Sequence, residues 1–511
     1  MTAIHNNIHK RLLATAAKSL FVFIALLITT SRGLYAGFDY SANYQAAMKE
    51  ILSLKLESGS AILAKEKAAN PNNTLVILGE DYVDFFKILI NENKAEYDKL
   101  VPNFSARLTA LEKGDKNSPW YNYSRAEVYV HWATHRLRFG EYFKAATEIR
   151  EAYKILEENI KKYPDFLPNK KTMGMLETIV GTIPENYQWM ANIVGLDGDI
   201  SSGIAKIETI IKSTAKLDYL PLQKQEALFI YVYLQMFVLK KPQEAWVLVE
   251  KNTNDYQTNL LNCYLRANIA LKCKKTDVAI ETLKKRPTGK EYHKFYYLDY
   301  LMGQAKLYRN DADADKYFKM YVSFHPGQNY IKSAYIRLSW FYFLKKETAT
   351  YERYRSMASR YGAEEIEEDK RAQKEAKAGV ATDEVLLKGM LFFDGGYNDK
   401  ALATLNSVTE SRYSTAEQKL EYNYRKARVY HEMGKTDLAI ELYKKVMTDG
   451  KDLTVYYAAN SCLLLGNIHE DKGEYGNACN RYKQCADYKN KEYRNSILQK
   501  AKAGMKRLGC K

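Results

Sequence analysis

The sequence predicts an all-α fold of stacked antiparallel helical hairpins, and three observations support this prediction. First, the segment KTDVAIETLKK at Lys275–Lys285 returns as KTDLAIELYKK at Lys435–Lys445, with eight of eleven positions identical. Second, a small residue, a glycine or polar residue seven positions later and an alanine five positions after that recur at five sites. Third, a bulky side chain follows each late alanine by four positions, and this spacing is typical of one face of a helix.

Each of the five sites reads as two helices separated by a turn. Written as first small residue, turn residue and late alanine, they are Ala133, Gly140 and Ala145; Ala267, Lys274 and Ala279; Gly389, Gly396 and Ala401; Ala427, Gly434 and Ala439; and Gly466, Gly473 and Ala478. The bulky residues four positions later are Ile149, Leu283, Leu405, Tyr443 and Tyr482. A lone hairpin cannot cover its own apolar face, so neighbouring hairpins must stack and share one core.

The pattern small-x2-aromatic-x3-Gly-x4-Ala-x3-aromatic resembles the tetratricopeptide repeat, whose usual period is 34 residues. Met433–Val446 and Leu463–Cys485 match it most closely, although His469 stands where the family prefers Tyr and Cys485 where it prefers Ala. The resemblance is strongest over about residues 380–490 and weaker over 225–360 and 120–155. It implies a right-handed superhelical solenoid whose concave surface binds a protein or peptide.

The late alanines give a chain of units along the sequence. They stand at Ala145, Ala205, Ala245, Ala279, Ala314, Ala349, Ala401, Ala439 and Ala478. The long step before Ala205 indicates an insertion near 165–200, which is either a long variant of the repeat or an element that contacts a partner. The long step after Ala349 contains the charged stretch 363–380. Glu367 and Arg371 form an i,i+4 pair there, so we expect a helical, solvated connector that would act as a hinge in the alternative interpretation.

Residues 37–120 precede the clear repeats and are expected to cap them. Ala46–Lys67 reads as a helix, Asn70–Thr74 as a turn, and Glu80–Ile90 and Asn103–Leu111 as further helices. At the other end, Tyr493–Leu508 has a polar, basic outer face, which is expected of a capping helix. The predicted order is given by the following ranges: 1–36, signal peptide; 37–120, capping region; 121–362, repeats; 363–380, connector; 381–490, repeats; 491–511, capping helix.

The first 36 residues have the layout of a secretory signal peptide. Lys10, Arg11 and Lys18 precede the apolar run Leu20–Thr30, and a small residue, Ala36, marks the expected cut. The apolar run is shorter than the roughly 20 residues of a transmembrane helix. We therefore expect an exported protein of the periplasm, the cell envelope or the extracellular space, with an uncleaved membrane anchor as the alternative.

Charge and cysteine content narrow the function classes further. The chain has a net charge of +16, but its Lys residues are scattered over helical faces, which indicates solubility and argues against nucleic acid as a partner of an exported protein.

Cys263 and Cys273 would stand about 15 Å apart on one helix, too far to form a disulfide bond. The other four cysteines lie near the C-terminus, where an oxidising compartment would allow two of them to pair. They are Cys462, Cys479, Cys485 and Cys510.

No motif of the sequence indicates catalysis, so we predict that the protein is not an enzyme and uses no cofactor or metal. His131 and His135 stand i,i+4, a spacing that holds zinc in metalloproteases, but Trp132 occupies the position that needs Glu. We interpret the two histidines as surface or seam residues of a repeat. Nucleotide-binding loops and serine-nucleophile elbows are also missing from the sequence.

The predicted function is an exported scaffold whose concave surface binds a protein or peptide partner. The predicted partner-binding positions on three successive first helices are Leu386, Met390, Tyr424, Arg428, Leu463 and Asn467. These residues do not form the Lys/Asn/Arg carboxylate clamp of chaperone-binding repeats. Two alternatives stay open: a protein that binds glycans or the envelope surface through a groove rich in the 42 tyrosines, and a cytosolic or membrane-anchored assembly factor. Peripheral contact with the envelope or a membrane surface is also compatible with the basic chain.

Overall fold

The computed structural model describes residues 37–183, 189, 195, 198–378 and 383–510, and the predicted signal peptide lies outside them. The described chain is helical apart from turns and one isolated parallel β-bridge between Gly37 and Asn73. It divides into an N-terminal unit, within Met1–Lys87 and Glu96–Tyr231, and a C-terminal unit, within Ile88–Ala95 and Val232–Lys511. Among the described helices, none is long and apolar enough to cross a bilayer.

The helices follow one another with short connections. In chain order they are α1 Ala42–Leu52, α2 Leu56–Ala69, α3 Leu75–Asn91, α4 Lys94–Leu100, α5 Pro102–Leu111, α6 Pro119–Arg138, α7 Tyr142–Lys162, α8 Pro168–Gly181, α9 Ile200–Lys212, α10 Leu220–Tyr233, α11 Pro242–Asn252, α12 Leu260–Lys272, α13 Thr276–Lys284, α14 Tyr297–Arg309, α15 Ala314–Phe324, α16 Ile331–Leu344, α17 Thr348–Arg360, α18 Glu367–Lys377, α19 Glu384–Asp394, α20 Asn398–Asn406, α21 Ala416–Glu432, α22 Thr436–Asp449, α23 Tyr457–Asp471, α24 Tyr475–Gln484 and α25 Arg494–Leu508. A π-helical turn, Leu234–Val238, continues α10.

Consecutive helices pack as hairpins, which confirms the predicted fold class. The main pairs are α6 with α7, α8 with α9, α12 with α13, α14 with α15, α16 with α17, α19 with α20, α21 with α22 and α23 with α24. The small residues bring the two helices of a pair together. A methyl group built on Gly466 would lie 2.7 Å from a ring carbon of Tyr482, and one on Gly389 would lie 2.9 Å from the Leu405 side chain. The bulky residue therefore fills the space that the small residue leaves, as the spacing predicts.

Two of the predicted alanine positions are wrong. Ala205 and Ala349 are exposed, whereas Ala145, Ala279 and Ala439 are completely buried. In α9 the buried small residue is Gly203 instead. A methyl group on it would lie 2.5 Å from the backbone oxygen of Gly174 on α8. Spacing alone placed Ala205 two positions away from the residue that makes the close contact.

The prediction of one helix over Ala46–Lys67 is also wrong, because two helices occupy this range. Leu54 adopts a left-handed backbone with φ of 61° between α1 and α2. The reversal folds α2 back on α1, and a methyl group on Gly59 would lie 2.4 Å from the Ile51 side chain. The predicted turn at Asn70–Thr74 is confirmed, and the two predicted helices further on fall within α3 and α5.

A disulfide holds the C-terminal helix against the last hairpin. It joins Cys479 on α24 to Cys510, two residues beyond α25. The sequence allows two of the four C-terminal cysteines to pair without deciding that they do, and the structure pairs Cys479 with Cys510 and leaves Cys462 and Cys485 as buried thiols. The predicted capping helix is present as α25.

The charged segment is helical, as predicted, and one of its faces is anchored. In α18, Asp369 is fully buried and accepts hydrogen bonds from the backbone N–H groups of Tyr330, at 2.6 Å, and Ser333, at 2.9 Å. Glu367 pairs with Lys370 at 3.3 Å. Only the outer face of α18 is therefore solvated.

Within the predicted insertion, α8 and the start of α9 are described, and the greater part of residues 184–197 lies outside the described residues.

Candidate functional site

The first helices of successive hairpins form one continuous layer in the C-terminal unit. Helix α14 contacts α12 and α16, α19 contacts α14, α16 and α21, and α21 contacts α23. In three of these hairpins a glycine of the first helix faces the second helix: Gly303 faces Phe318, Gly389 faces Leu405 and Gly466 faces Tyr482. The residue directly after the small one lies about 100° further around the first helix, at the edge of the face that packs on the second helix. We call the surface formed by these first helices the inner layer.

The six predicted partner-binding residues divide into two groups. Leu386, Tyr424 and Leu463 are buried, with exposed fractions of 2–4%, and their side chains belong to the hydrophobic core. Met390, Arg428 and Asn467 are partly exposed. Each of these three directly follows the small residue of its helix, so they occupy equivalent positions on α19, α21 and α23. We call them the inner row.

Arg428 is held in the inner row by aromatic rings. Its guanidinium carbon lies 4.6 Å from the centre of the Phe393 ring and 5.8 Å from that of Tyr424. One of its nitrogens donates a hydrogen bond of 3.1 Å to the Tyr424 hydroxyl. Within the described residues no carboxylate lies within 4 Å of this guanidinium. Its charge is thus fixed in position without an ion pair.

The turn between α12 and α13 packs against the turn between α19 and α20, although seven helices, α13–α19, separate them in the sequence. Thr276 donates a hydrogen bond of 2.8 Å to the backbone oxygen of Gly395. Lys274 forms an ion pair of 2.9 Å with Glu432. A methyl group on Gly396 would lie 2.1 Å from the backbone oxygen of Lys274, and φ there is 83°. This return contact is not adjacent in sequence, and nothing in the repeat pattern predicts it.

The return contact lies beside a cavity of about 210 Å³ in the inner layer. Helices α12, α14, α16, α18 and α19 all contribute to its wall. The aromatic residues of the wall are Tyr297, Tyr300, Tyr308 and Tyr330, and the polar ones are Asn268, Lys272, Lys274, Gln304, Arg337, Glu368 and Asp394. Burial raises the pKa of Tyr300 to about 12, so its hydroxyl is neutral at physiological pH.

Arg337 is a cation of this wall that has no carboxylate partner. Its guanidinium carbon lies 5.3 Å from the centre of the Tyr300 ring and 5.9 Å from that of Trp340. One nitrogen donates hydrogen bonds to the backbone oxygen and the hydroxyl of Ser333. The buried Nε has no hydrogen-bond partner, and no carboxylate of the described residues lies within 4 Å of the group.

Two carboxylates of the same wall are also without a direct partner. Neither Asp394 nor Glu368 makes a hydrogen bond or an ion pair within the described residues. Burial raises the pKa of Asp394, against the attraction of Arg425, Arg428 and Lys274, which lowers it. The cavity therefore presents unpaired groups of both signs beside tyrosine rings. Arg337, Glu368 and Asp394 are partly exposed, so a polar ligand or solvent can meet them.

A buried ion network in the N-terminal unit is a second candidate that the sequence does not reveal. Lys171 lies 3.1 Å from Glu127 and 2.6 Å from Glu226, and Tyr82 donates hydrogen bonds to both carboxylates. Burial lowers the pKa of Lys171, but attraction to the two carboxylates outweighs it and raises this pKa well above its ordinary value. Lys171 is only 2% exposed and its partners satisfy it, so we interpret the network as a structural link between helices.

The histidine pair of α6 is buried in the seam between helices. Nδ1 of His131 lies 2.7 Å from the carboxylate of Asp81, which also accepts hydrogen bonds from Trp132 and Arg107. His135 is 1% exposed, and neither of its ring nitrogens has a hydrogen-bond partner. In the described part of the chain no group of three or more His, Cys, Asp or Glu residues is placed to hold a metal ion.

Comparison with known proteins identifies tetratricopeptide repeats near the C-terminus. Residues 420–448, which include most of α21 and α22, and residues 461–492, which include most of α23 and α24, each match a model of this repeat. Among solved structures, the chain is similar to the TPR domain of P58(IPK), with 14% identity, 80% of this chain and 96% of that chain covered, and a TM-score of 0.20. It is also similar to the APC/C hetero-tetramer Cut9–Hcn1, with 12% identity, 89% and 95% coverage, and a TM-score of 0.27. No curated protein matches the sequence.

Proposed function

We propose that this protein is an exported scaffold that binds an extended segment of a partner protein along the inner row. Repeats of the tetratricopeptide type suggest a protein-interaction scaffold, and the fold of the described residues agrees with this role. Fold alone does not identify a site, so the proposal depends on the residues that the inner layer displays.

The observation that carries the proposal is the alignment of Met390, Arg428 and Asn467 on three successive first helices. Met390 offers an adaptable apolar contact. Arg428 offers a fixed guanidinium, held by Phe393 and Tyr424, to a backbone carbonyl or an acidic side chain. The Asn467 side-chain oxygen accepts a hydrogen bond of 2.9 Å from a tyrosine hydroxyl, while its amide nitrogen donates none within the described residues. One apolar contact and two hydrogen-bonding groups suit an extended peptide.

Export is the second part of the proposal. The layout of residues 1–36 supports it, and so does the disulfide between Cys479 and Cys510, since disulfides persist in oxidising compartments and are rare in the cytosol. N-terminal sequencing of the protein recovered from its host tests this part. A mature chain that begins at or near Gly37 is the expected result, and a chain that still carries residues 1–36 would favour the membrane-anchored alternative.

Cross-linking capture from the native compartment tests partner binding. The wild type is compared with Arg428→Ala and with Lys444→Ala, a control on the exposed face of α22. We expect one protein to be captured by the wild type and the control and lost with Arg428→Ala. Capture of the same proteins by all three variants would refute a role for the inner row, and retention of the wild type on purified polysaccharide alone would favour the glycan-binding alternative.

A further inference from the structure

The charged side chains in the wall of the inner-layer cavity restrict the kind of ligand that can bind there. Arg337 lines the cavity and has no carboxylate within 4 Å among the described residues, so its guanidinium favours a ligand that carries hydrogen-bond acceptors. Asp394 and Glu368 need donors, because neither makes a hydrogen bond or an ion pair within the described residues. A simple anion would meet the demand of Arg337 but would be repelled by the two carboxylates. A simple cation would meet the carboxylates but would be repelled by Arg337 and Lys274.

A hydroxyl group is both a donor and an acceptor, so a ligand that carries several hydroxyls meets groups of either sign at the same time. The aromatic part of the wall favours the same kind of ligand. Tyr297 and Tyr300 are stacked at 5.3 Å between ring centres, and Tyr330 lies 4.7 Å from Tyr297. These rings offer apolar surface to the C–H groups of a ring-shaped ligand, and their hydroxyls offer further hydrogen bonds.

The volume of the cavity indicates how large a part of a ligand its wall surrounds. Its volume of about 210 Å³ corresponds to roughly seven water molecules at about 30 Å³ each, which is the size of one small ring with its substituents. Tyr297, Arg337 and Asp394 are partly exposed, so solvent reaches the wall.

We propose that this cavity is a binding site for a small, uncharged, hydroxyl-rich ligand, a single sugar ring being the chemical class that fits. The unpaired Arg337 supplies donors to ring hydroxyls, Asp394 and Glu368 accept from them, and the tyrosine rings contact the face of the ring. This site is distinct from the inner row, since the cavity wall does not include Met390 or Asn467. The inference goes beyond partner binding and does not depend on it.

Ligand-observed NMR and isothermal titration of the full mature chain test the inference. The neutral probes are D-glucose, D-galactose and N-acetyl-D-glucosamine, and the charged probes are the anion acetate, the cation methylammonium and the zwitterion glycine, which carries both signs and is the competing class of ligand. We expect at least one neutral sugar to bind at one site per chain with a Kd below about 10 mM, and the charged probes to bind more weakly. Saturable binding of a charged probe alone, or no saturable binding of any sugar, would overturn the proposal.

Variants place the binding in the cavity. Arg337→Met should weaken sugar binding by about tenfold or more, because a hydrogen bond to a charged group is lost, and Asp394→Asn should also weaken it. The control is Arg353→Met on α17, an exposed arginine that lies 5.0 Å from the Tyr354 ring and outside the cavity. Unchanged sugar affinity in both cavity variants would refute this site.

Tyr308→Phe removes one hydroxyl and keeps the ring. It provides a test that does not alter a charge if Arg337→Met lowers the melting temperature, and it should weaken sugar binding. Partner capture is measured on the same variants. Loss of sugar binding with normal capture of the partner, or the reverse, separates failure of this inference from failure of the proposed scaffold function.

Discussion

Three glycines of the last hairpin provide a test of the packing argument, because replacing each by alanine has a different physical consequence. Gly466 lies in α23, where a methyl group would stand 2.7 Å from a ring carbon of Tyr482. Gly473 lies in the turn with φ of 75° and nothing within 4 Å of the added methyl. Gly476 lies in the first turn of α24, is exposed and also has open space around it.

The expected cost at Gly466 depends on whether Tyr482 moves. A methyl group on Gly504 would stand 2.5 Å from the same ring, so the ring is confined on both sides. Its hydroxyl is held by hydrogen bonds of 2.9 Å to Asn467 and 2.5 Å to Glu470. Overpacking costs about 1–3 kcal/mol, and the better helix propensity of alanine offsets about 0.5–1 kcal/mol of this. Gly466→Ala should therefore destabilise the hairpin by about 1–2 kcal/mol.

The other two replacements measure backbone strain and helix propensity separately. Gly473→Ala places a side chain in left-handed backbone, which destabilises the folded state by about 1–2 kcal/mol. Alanine also lowers the conformational entropy of the unfolded chain, which stabilises the protein by about 0.4–1 kcal/mol. A net loss of about 1 kcal/mol is expected. Gly476→Ala meets neither penalty and should stabilise the hairpin by about 0.5 kcal/mol.

Native-state hydrogen exchange of peptides from α23 and α24 is the appropriate assay, since it reports the local free energy of opening in a chain of two units. Exchange should be faster than in the wild type for Gly466→Ala and Gly473→Ala, and slower for Gly476→Ala. Exchange in α6 is the internal control and should not change. If Gly466→Ala protects the hairpin as much as Gly476→Ala does, the small residue is not at a close-packed contact and the reasoning fails.

Three further predictions concern core packing, the disulfide and a buried histidine. Ala439→Leu should cost about 1–3 kcal/mol by overpacking, and urea unfolding should show almost no change for the exposed control Ala349→Leu; equal effects would contradict the assignment of the close-packed position. Cys510→Ser should lower stability by at most about 3–4 kcal/mol, the loop entropy expected for a separation of 31 residues, and should open α25 to limited proteolysis; unchanged proteolysis would contradict the bracing role. Burial lowers the pKa of His135 to about 3. Below pH 6.5 the unfolded chain therefore takes up a proton that the folded chain excludes, and the free energy of unfolding decreases as the pH is lowered. Relative to His135→Leu, the wild type should lose about 2 kcal/mol between pH 7 and pH 5, and parallel pH profiles of urea unfolding would show that this histidine is accessible to protons.

Much of the fold follows from the sequence because hairpin packing is local. The two helices of a hairpin touch through residues about 16 positions apart, such as Gly389 and Leu405, so a fixed spacing records the contact. The prediction fails where another residue makes that contact. Gly203 faces Gly174 in α9, and the spacing selected Ala205 because alanine, and not glycine, was expected there.

The candidate site was harder to predict because its parts are not neighbours in sequence. The three inner-row residues stay a prediction as a binding site, and sequence spacing does not separate the partly exposed Arg428 from the buried Tyr424, since both lie on the same side of α21. The cavity was not predicted at all. It requires the turn after α12 to meet the turn after α19, and tyrosine is so frequent in this chain that the tyrosines of the cavity wall carry no distinguishing signal.

The repeated segment at Lys275–Lys285 and Lys435–Lys445 shows where specificity must lie. In the first copy, Thr276 is buried and donates its hydroxyl to Gly395, and Asp277 accepts a hydrogen bond from a tyrosine. In the second copy, the side chain of the equivalent aspartate, Asp437, is 95% exposed. The same residues thus serve two different surroundings, because what they encode is the start of a second helix. The residues before them differ where they face the inner layer: Asn268 lines the cavity, and Arg428 occupies the inner row. We therefore expect the first helices to select the proposed partner and ligand, and substitutions at Asn268 or Arg428 to change binding while leaving the hairpins intact.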